Sequence, residues 1–482
     1  MTALKPYPAM KETGLDWLGP VPTHWEVEPL GRLGWFATGK GGDWLDERAS
    51  GIPCIRYGDL YTTHRRFVTE SRSFVPRAEA AKYSPIRFGD VLFAATGETA
   101  EEIGESAVNL IRSEACCGRD VIRFRPNRTV DARYLGYATN CLPAAGQKGA
   151  MGLGITVAHI YAEQLKRLIV ALPPLAEQGA IVRFLDRVER RIRKFLHAKK
   201  RLIALLEEQK LVVVHRAVTG KLDVRTGRRY CPCRDSGAAW LGRVPEHWVV
   251  ERLKSSMANV VQPCDQRRLG DAFVSLERVE GWTGRIARVE PGDPPGGRLK
   301  RFAPGDILFG KLRPHLARVA SPSTGGLCGG EFLVLRPRRS AFSGRYVERV
   351  LRSKPVVAAI DSLAGGTAVP RAEWSALGCL TIARPPLAEQ HAIVDYLEGA
   401  EAGIDERIAR ARRQIELAAE LHARLVADVV TGKHDVRGAP VTLPELVSYA
   451  VGGDVEDALQ NGATPALAGR PPAGISCESQ AL

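Results

Sequence analysis

The sequence lacks the motifs with which many enzymes bind nucleotides, metals or acyl substrates. It has no G-x-x-x-x-G-K-[ST] loop, which excludes a P-loop nucleotide site, and no H-E-x-x-H or G-x-S-x-G motif. An Asn/Asp-Pro-Pro-aromatic box for adenine methylation is also missing, and Pro173-Pro174 lies between Leu172 and Leu175. These absences predict a chain without catalytic residues of its own.

Long apolar runs are absent too. No run of about 18 apolar residues is present, which argues against a transmembrane helix, and residues 1–10 lack the apolar core of a signal peptide. The ten cysteines form no disulfide framework, which fits a reducing compartment. Cys231 and Cys233 have no second ligand pair at zinc spacing nearby, so we expect no metal site. We expect a cytoplasmic protein that does not contact a membrane.

The charge balance is strongly basic. The formal net charge is +14 and the pI is about 9.4, which points to a polyanionic partner such as nucleic acid; the alternative is a generally arginine-rich composition. Local clustering favours the first interpretation. The clusters are His64-Arg65-Arg66, Arg119 with Arg123 and Arg125, Arg267-Arg268, Arg298 with Lys300-Arg301, and Arg336 with Arg338-Arg339.

The most informative feature that is present is an internal duplication. Residues 173–225 align without a gap on 385–437, with 24 of 53 columns identical. Each copy begins with PPLAEQ and ends with VTGK and DVR. The proline pair forces an extended entry, and the glutamate falls in the first turn, where it suits the helix dipole.

Between these ends, apolar residues recur at alternating steps of four and three. Ile181, Leu185 and Ile192 show the pattern in the first copy, and Ile404 and Ile408 in the second. This spacing predicts two helices of about 40 residues, each roughly 60 Å long, paired in a coiled coil. The alternative is that each helix packs on its own domain. The spacing leaves the orientation of the pairing open.

A second repeated segment precedes each variable region. The start box at 14–30 matches the start box at 237–253 in 11 of 17 columns, including two tryptophans and a histidine. These rings could stack on bases. A fixed segment ahead of two divergent domains fits a structural docking piece better, so we expect a structural role.

The variable domains at 31–172 and 254–384 share few landmarks. Asp90 and Asp306 occupy matching Gly-Asp turns before apolar strands, and we expect them to be structural rather than catalytic. We expect two compact α+β domains with brief helices near 131–141 and 344–353. A frame kept alike around two divergent domains predicts recognition of two different targets at a fixed separation.

Together, these motifs resemble the specificity subunit of type I restriction-modification systems. They are the start box, the GD[VI]LF turn, the glycine-rich loops at 152–156 and 365–367, PPLAEQ, the long helix and the VTGK-x-DVR end. The resemblance covers about 14–437. It implies an α+β fold with two target recognition domains separated by an antiparallel two-helix coiled coil, as a pseudo-twofold repeat. The implied segments are 1–172 and 237–384 for recognition, 173–225 and 385–437 for the helices, 226–236 as a polar linker, and 438–482 as a disordered tail with at most a short helix near 443–450.

The resemblance also implies partners. Each recognition domain would bind half of a split double-stranded DNA sequence. Two methyltransferase subunits would dock on the frame and methylate adenine with S-adenosylmethionine. Restriction subunits would cleave DNA with ATP and Mg²⁺. The chain itself would bind no cofactor. The alternative is a stand-alone DNA-binding regulator or scaffold without a methyltransferase partner.

Two sets of site residues follow. The expected DNA contacts are Arg56, Tyr57, His64, Arg65, Arg66, Arg267, Arg268, Lys311, Arg313 and His315. The expected docking and coiled-coil residues are Pro173, Pro174, Glu177, Gln178, Ile181, Leu185, Ile192, Pro385, Pro386, Glu389, Gln390, Ile393 and Leu397. One departure from the family is the acidic loop at 96–102, where such loops often carry a lysine; the second domain keeps Lys311.

Overall fold

The computed structural model describes residues 4–41, 50–97, 103–152, 158–264, 272–287, 299–338, 342–363 and 370–438. The chain divides into two compact units. The first joins 1–199 to 413–482, and the second is 200–412. The division falls inside both long helices, so the units do not follow the serial boundaries expected from the sequence.

The first unit is built on two small sheets. In spatial order the five-stranded sheet comprises Gly34–Thr38, Val121–Pro126, Val91–Ala94, Ser106–Asn109 and Phe67–Val68. Its neighbours are antiparallel except the last pair, which is parallel. The four-stranded sheet comprises Ser73–Val75, Ile52–Ile55, Ala115–Cys117 and Ser84–Ile86. Two-stranded pairings join Met10–Lys11 to Val21–Pro22, Glu26–Pro29 to Ile169–Leu172, and Thr96–Gly97 to Ala158–His159.

The helix expected near 131–141 is present, and a second helix follows it. They are Ala132–Ala138 and Leu142–Met151. The Asp131 side chain caps the first by accepting from the backbone N–H of Arg133 at 2.8 Å and of Tyr134 at 3.1 Å. Shorter helical segments are Leu30–Leu33, Tyr57–Asp59, the π-helical Leu60–His64, the 3-10 turn Ala80–Lys82, and Ala162–Leu165.

The second unit also contains two small sheets. One has the order Met257–Asn259, Phe332–Pro337, Ile307–Gly310 and Val319–Ala320, and the other Pro263–Cys264, Leu299–Phe302, Gly326–Cys328 and Phe273–Val274. Two-stranded pairings join Cys233–Asp235 to Arg243–Pro245 and Val249–Arg252 to Thr381–Arg384. Its helical segments are Leu253–Ser256, Leu276–Arg278, Pro314–Leu316, Gly344–Leu351, Lys354–Ser362 and Trp374–Leu377. The α+β expectation and the helix near 344–353 are confirmed, whereas segment 226–236 contributes a strand and is more than a linker.

Two long helices of 44 residues follow the duplicated sequence. The central helix is Leu175–Val218 and the C-terminal helix is Leu387–Val430. Both end in the same way. Gly220 and Gly432 adopt positive φ, and the next N–H donates back to a carbonyl five residues earlier, Lys221 to Arg216 at 2.9 Å in the first copy. This Schellman motif explains why VTGK recurs at both ends.

In the first unit, the start of the central helix packs against the end of the C-terminal helix. Ile181, Leu185 and Ile192 share a core with Leu425 and Val429. The order is antiparallel, because the end of the C-terminal helix lies beside the start of the central helix.

In the second unit, the remaining halves of the two helices pack together. Leu206 packs against Ile404 and Ile408, while Val214–Val218 shares a core with Ile393–Leu397. Later residues of the central helix therefore meet earlier residues of the C-terminal helix. The orientation that the spacing left open is antiparallel, as the family resemblance implied.

Candidate nucleic-acid interface and docking junctions

A buried glutamate joins the first start box to the central helix. Glu177 accepts hydrogen bonds from the Tyr7 hydroxyl and from Trp25 Nε1 at 3.2 Å, and its second oxygen lies 2.9 Å from His24 Nε2. Burial raises the pKa of Tyr7 well above its ordinary value, so its hydroxyl remains a donor at neutral pH. We call this contact the first junction.

The second junction repeats the same chemistry. Glu389 accepts from the Tyr230 hydroxyl and from Trp248 Nε1 at 3.1 Å, and lies 3.0 Å from His247 Nε2. Burial likewise raises the pKa of Tyr230. The start-box residues Trp25 and Trp248 are buried, with 0% and 1% of their surface exposed, so they do not stack on bases. The geometry supports the structural role that we expected.

The glutamine after each glutamate ties the variable domain to the same point. Gln178 Oε1 accepts from the Asp131 N–H at 2.8 Å, and Gln390 Oε1 accepts from the Ser343 N–H at 2.9 Å. Both amide groups also donate back to the first proline of their own PPLAEQ segment. Each PPLAEQ segment thus holds a start box, a variable domain and a helix together.

Most of the expected docking residues are occupied by these internal contacts. Both glutamates, both glutamines and the seam residues Ile181, Leu185, Ile192, Ile393 and Leu397 are buried. What the PPLAEQ segments expose is the Pro-Leu-Ala triplet at 174–176 and 386–388. Leu175 is 49% exposed and Leu387 is 38% exposed. Within these segments, a partner can reach the triplets and not the buried side chains.

Tyr7 and Tyr230 were missed by the sequence reasoning. Each precedes the first tryptophan of its start box by ten residues, and this equal spacing could have identified the two tyrosines as part of the repeat. The backbone around them also corresponds, since Lys5 bridges Asp435 and Arg228 bridges Asp223. Residues near both chain ends therefore complete the first junction.

The Gly-Asp turns are structural, as expected. Asp90 forms a bidentate ion pair with Arg125, with both N···O distances 2.6 Å. Asp306 forms the same pair with Arg336, with N···O distances of 2.6 and 2.7 Å. Arg123, from the same basic cluster, is also turned inward and donates to the Pro85 carbonyl. Several arginines that cluster in the sequence therefore form ion pairs or hydrogen bonds within the domains.

In the first variable domain, two expected DNA contacts are directed inward. His64 ends the π-helical turn and is only 8% exposed, and burial lowers its pKa below the ordinary value, which disfavours a cationic contact. Arg66 lies 3.5 Å from Glu189 and over the ring of Tyr137, with 5.4 Å to the centroid. The structure gives both residues internal surroundings in place of the phosphate contacts expected from the sequence.

The remaining expected contacts of this domain lie at its surface. Arg65 is exposed and has a φ of 49°, uncommon for a residue with a side chain. Tyr57 is 38% exposed, and Arg56 precedes it at the start of the same helical segment, half-buried. Tyr57 and Arg65 lie at the two ends of the helical segments Tyr57–Asp59 and Leu60–His64 and form the candidate DNA-facing element, whereas two guanidinium nitrogens of Arg56 are buried.

In the second variable domain the candidate element is the loop at 311–317. Arg313 and Ala317 both adopt left-handed backbone conformations around the turn Pro314–Leu316, and Arg313 is exposed. Such strain is concentrated at functional sites in proteins. The imidazole of His315 lies 3.5 Å from an Asp361 oxygen and half of it is exposed, while Lys311 is half-buried.

Some expectations lie outside the described residues. These are Arg267 and Arg268, the glycine-rich stretches at 153–156 and 365–367, the acidic residues of 98–102, and the tail from 439 onward. Within the part of the chain that the structure covers, no cluster of three or more His, Cys, Asp or Glu side chains could hold a metal ion. None of the helices described there is long and apolar enough to span a bilayer.

Comparison with known proteins finds similarity to type I restriction-modification specificity subunits. Residues 36–204 match the family model described as the type I restriction modification DNA specificity domain. The chain is 20% identical over 262 residues to the type I restriction enzyme EcoDI specificity subunit of Escherichia coli, covering 51% of this chain and 58% of the relative. It is 22% identical over 205 residues to the EcoKI specificity subunit of E. coli strain K12, covering 42% of this chain and 40% of the relative. The matches thus span about half the length of these curated relatives.

Among solved structures, the fold is similar to a chain from a study of complex assembly and conformational transition of the type I R-M system. The TM-score is 0.64 at 17% identity, over 87% of this chain and 99% of that one. The HsdS subunit of Thermoanaerobacter tengcongensis matches with a TM-score of 0.49 at 18% identity, over 87% and 98%. The first of these similarities supports the fold.

Proposed function

We propose that the chain is a specificity subunit of a type I restriction-modification system and binds a split double-stranded DNA sequence, one half with each variable domain. Its similarity to such subunits supports this proposal. The chain itself carries out no chemistry in this proposal. The observation that carries it is the duplicated junction, which keeps the same Glu, Tyr, Trp and His contacts around two domains of different sequence. A frame of this kind suits recognition of two unlike half-sites.

The proposed partners are two methyltransferase subunits and, with them, restriction subunits. Two identical exposed triplets, one at each junction, suit two copies of the same partner. S-adenosylmethionine, ATP and Mg²⁺ would be bound by these partners and not by this chain. The complex would work in the cytoplasm.

Methylation mapping tests the proposal. The chain is co-expressed with the methyltransferase subunit of its own system, and modified adenines are located by sequencing the host genome. We expect one motif with two specified halves and an unspecified gap, lost when this chain is omitted. The purified chain alone, given DNA and labelled S-adenosylmethionine, should transfer no methyl group.

Two results would contradict the proposal. One is methyl transfer by the chain after rigorous removal of methyltransferase. The other is an unchanged methylation motif when this chain is absent. Specific DNA binding by the chain with no methyltransferase retained on co-purification would instead favour a stand-alone regulator.

A further inference from the structure

A cavity of about 550 Å³ lies beside the second junction. It is formed by the end of the central helix, segment 226–236 and a strand of the second start box. Four of its lining residues are basic, namely Arg216, Lys221, Arg229 and Arg243. Tyr230 and Cys231 also line it. Its size falls within the roughly 300–1,000 Å³ of small-ligand sites.

Among the residues that the structure describes, the basic groups of this cavity have no acidic partners. In the described part of the chain, no carboxylate lies within ion-pair distance of any of the four. Lys221 Nζ lies 3.1 Å from His215 Nε2, and Arg243 donates to the Cys233 carbonyl at 2.6 Å. All four residues are exposed, so an anion in solution can reach them. Their positive charges repel one another until an anion enters.

The first junction provides an internal comparison. Its strand pairing matches that of the second, with Met10 opposite Pro22 where Cys233 is opposite Pro245. The positions equivalent to Arg216, Arg229 and Arg243 are Asp428, Pro6 and Pro20, none of which is basic. The one shared cation is Lys433, which is already paired with Asp428 at 3.3 Å.

Three of the arginines added in the second copy line the cavity, namely Arg216, Arg229 and Arg243. Elsewhere the two junctions keep equivalent basic residues in equivalent roles. Lys11 donates to the Trp25 carbonyl at 2.6 Å, and Arg234 donates to the Trp248 carbonyl at 2.7 Å. A generally basic composition does not explain why three added arginines surround one cavity.

We propose that this cavity is a phosphate-binding site. A phosphate group carries up to two negative charges and several acceptor oxygens, and arginine and lysine are its usual partners. Neutralising the four positive side chains requires more negative charge than a single carboxylate carries. A partner that docks on both junctions alike would not need a cavity present at only one, which argues against the repeated docking partner as the ligand.

The phosphate can come from two sources. One is a free di- or triphosphate, including that of a nucleotide, and this form is independent of the function proposed above. The other is the backbone of nucleic acid, and this form rests on that function. Tyr230 lines the cavity, but its hydroxyl already donates to Glu389, so the basic side chains are the groups left to bind either form.

The test uses the full chain and the variant Arg216→Asp, which restores the residue that the first junction has. The control is Arg228→Asp, which makes the same charge change on an exposed residue that does not line the cavity. Pyrophosphate is titrated by calorimetry at low salt. We expect Arg216→Asp to weaken binding about tenfold or more and the control to bind as the parent does, since a charged contact is lost only in the first. Arg216→Gln should fall between, and equal thermal unfolding midpoints confirm intact folding.

The second measurement separates the sources. If the ligand is nucleic acid, Arg216→Asp should lower the slope of log K against log salt for duplex DNA by about 0.9 or more relative to the control. If the ligand is a free phosphate compound, the slope is the same in both variants while pyrophosphate binding differs. The proposal is overturned if the parent chain binds no pyrophosphate at millimolar concentration. It is also overturned if Arg216→Asp and the control bind it equally, or if a glutamate-rich peptide binds more tightly than pyrophosphate.

Discussion

Arg65 and Arg66 are neighbours in the sequence, but the backbone turns them toward different surroundings. Arg65 is exposed on a strained turn, whereas Arg66 is held between Glu189 and the Tyr137 ring. Their substitution by alanine should therefore have different effects. We expect Arg65→Ala to lower the salt slope of DNA binding by about 0.9, the contribution of one phosphate contact.

Arg66→Ala should leave that slope unchanged and instead destabilise the first unit by about 1–2 kcal/mol, because a partly buried ion pair and a cation–π contact are lost. Salt-dependent binding measurements and urea unfolding of both variants test the difference. The assignment fails if Arg66→Ala changes the slope as much as Arg65→Ala does.

Lys148 gives a prediction on pH dependence. It is buried in the first unit, its ammonium donates to the Gly104 carbonyl at 2.8 Å, and burial lowers its pKa from 10.5 to about 8. Between these values the unfolded chain binds more protons than the folded chain. The free energy of unfolding from this group therefore rises with pH from about 8 to 10.5, and its full penalty is present below pH 8.

Lys148→Met should remove this rise, which at about 1.4 kcal/mol per pKa unit amounts to roughly 3.5 kcal/mol at most. Denaturant unfolding of the parent and the variant at about pH 7.5 and about pH 10 provides the comparison, and other groups that titrate in this range cancel in the difference. Parallel pH curves for the two proteins would show that Lys148 does not titrate as the structure indicates.

At the scale of elements, the ends of the long helices depend on one glycine each. Gly220 and Gly432 have φ of 69° and 76°, and a Cβ on either would lie 2.3 Å from the Cδ of a start-box proline. We expect Gly220→Ala or Gly432→Ala to destabilise its unit by about 2 kcal/mol or more, from backbone strain and displacement of the box.

The matched control for this substitution is Gly399→Ala in the interior of the C-terminal helix. A Cβ there meets nothing within 4 Å, so alanine should stabilise the helix by about 0.5–1 kcal/mol. Thermal unfolding distinguishes the two substitutions, because the midpoint should fall for Gly220→Ala and rise for Gly399→Ala. Stabilisation by Gly220→Ala would exclude the termination mechanism described for VTGK.

The first turn of each long helix carries the proposed docking surface. Leu175→Asp and Leu387→Asp should each weaken retention of one methyltransferase subunit about tenfold, because an apolar contact residue becomes charged. Folding should be unaffected, since an acidic residue suits the first turn of a helix. Leu205→Asp, at an exposed leucine of the central helix outside the junctions, is the control.

Subunit retention is measured by co-purification and native mass spectrometry. Each single variant should leave one subunit bound and the double variant none. If Leu205→Asp reduced retention as strongly as Leu175→Asp, the triplets would not be the docking surface.

At the scale of the whole molecule, the paired helices are proposed to set the gap between the two half-sites. Adding seven residues to both helices keeps the apolar seam and lengthens each helix by about 10 Å. Insertions are best placed after Leu202 and near Ala411. The packing of Leu206 against Ile404 and Ile408 puts these positions opposite each other.

With these insertions, both half-site sequences should stay the same while the gap grows by about three base pairs, at about 3.4 Å per pair. The methylated motif of the variant complex, read by sequencing, is the measurement. An insertion in one helix only should break the seam and abolish methylation. Persistent methylation with an unchanged gap would show that the helices do not set the spacing.

The sequence by itself determined the repeated features. The duplication, the start of each long helix after the proline pair, its end at VTGK and the structural role of Asp90 and Asp306 all follow from local chemistry: restricted backbone angles, helix periodicity and turn residues. The equal spacing of Tyr7 and Tyr230 before their start boxes was also present in the sequence. Their role was missed because a tyrosine has no local signature for a buried carboxylate partner.

Tertiary structure alone decided which side chains are available. His64, Arg66 and Arg125 belong to clusters that look equally basic in the sequence, yet each is buried or paired by a residue elsewhere in the chain. It also decided that Lys5 and Asp435 meet to complete the first junction, and that the helices pair antiparallel. The physical reason is that burial, ion pairing and strand pairing depend on partners far away in sequence, whose positions are set only when the whole chain has folded.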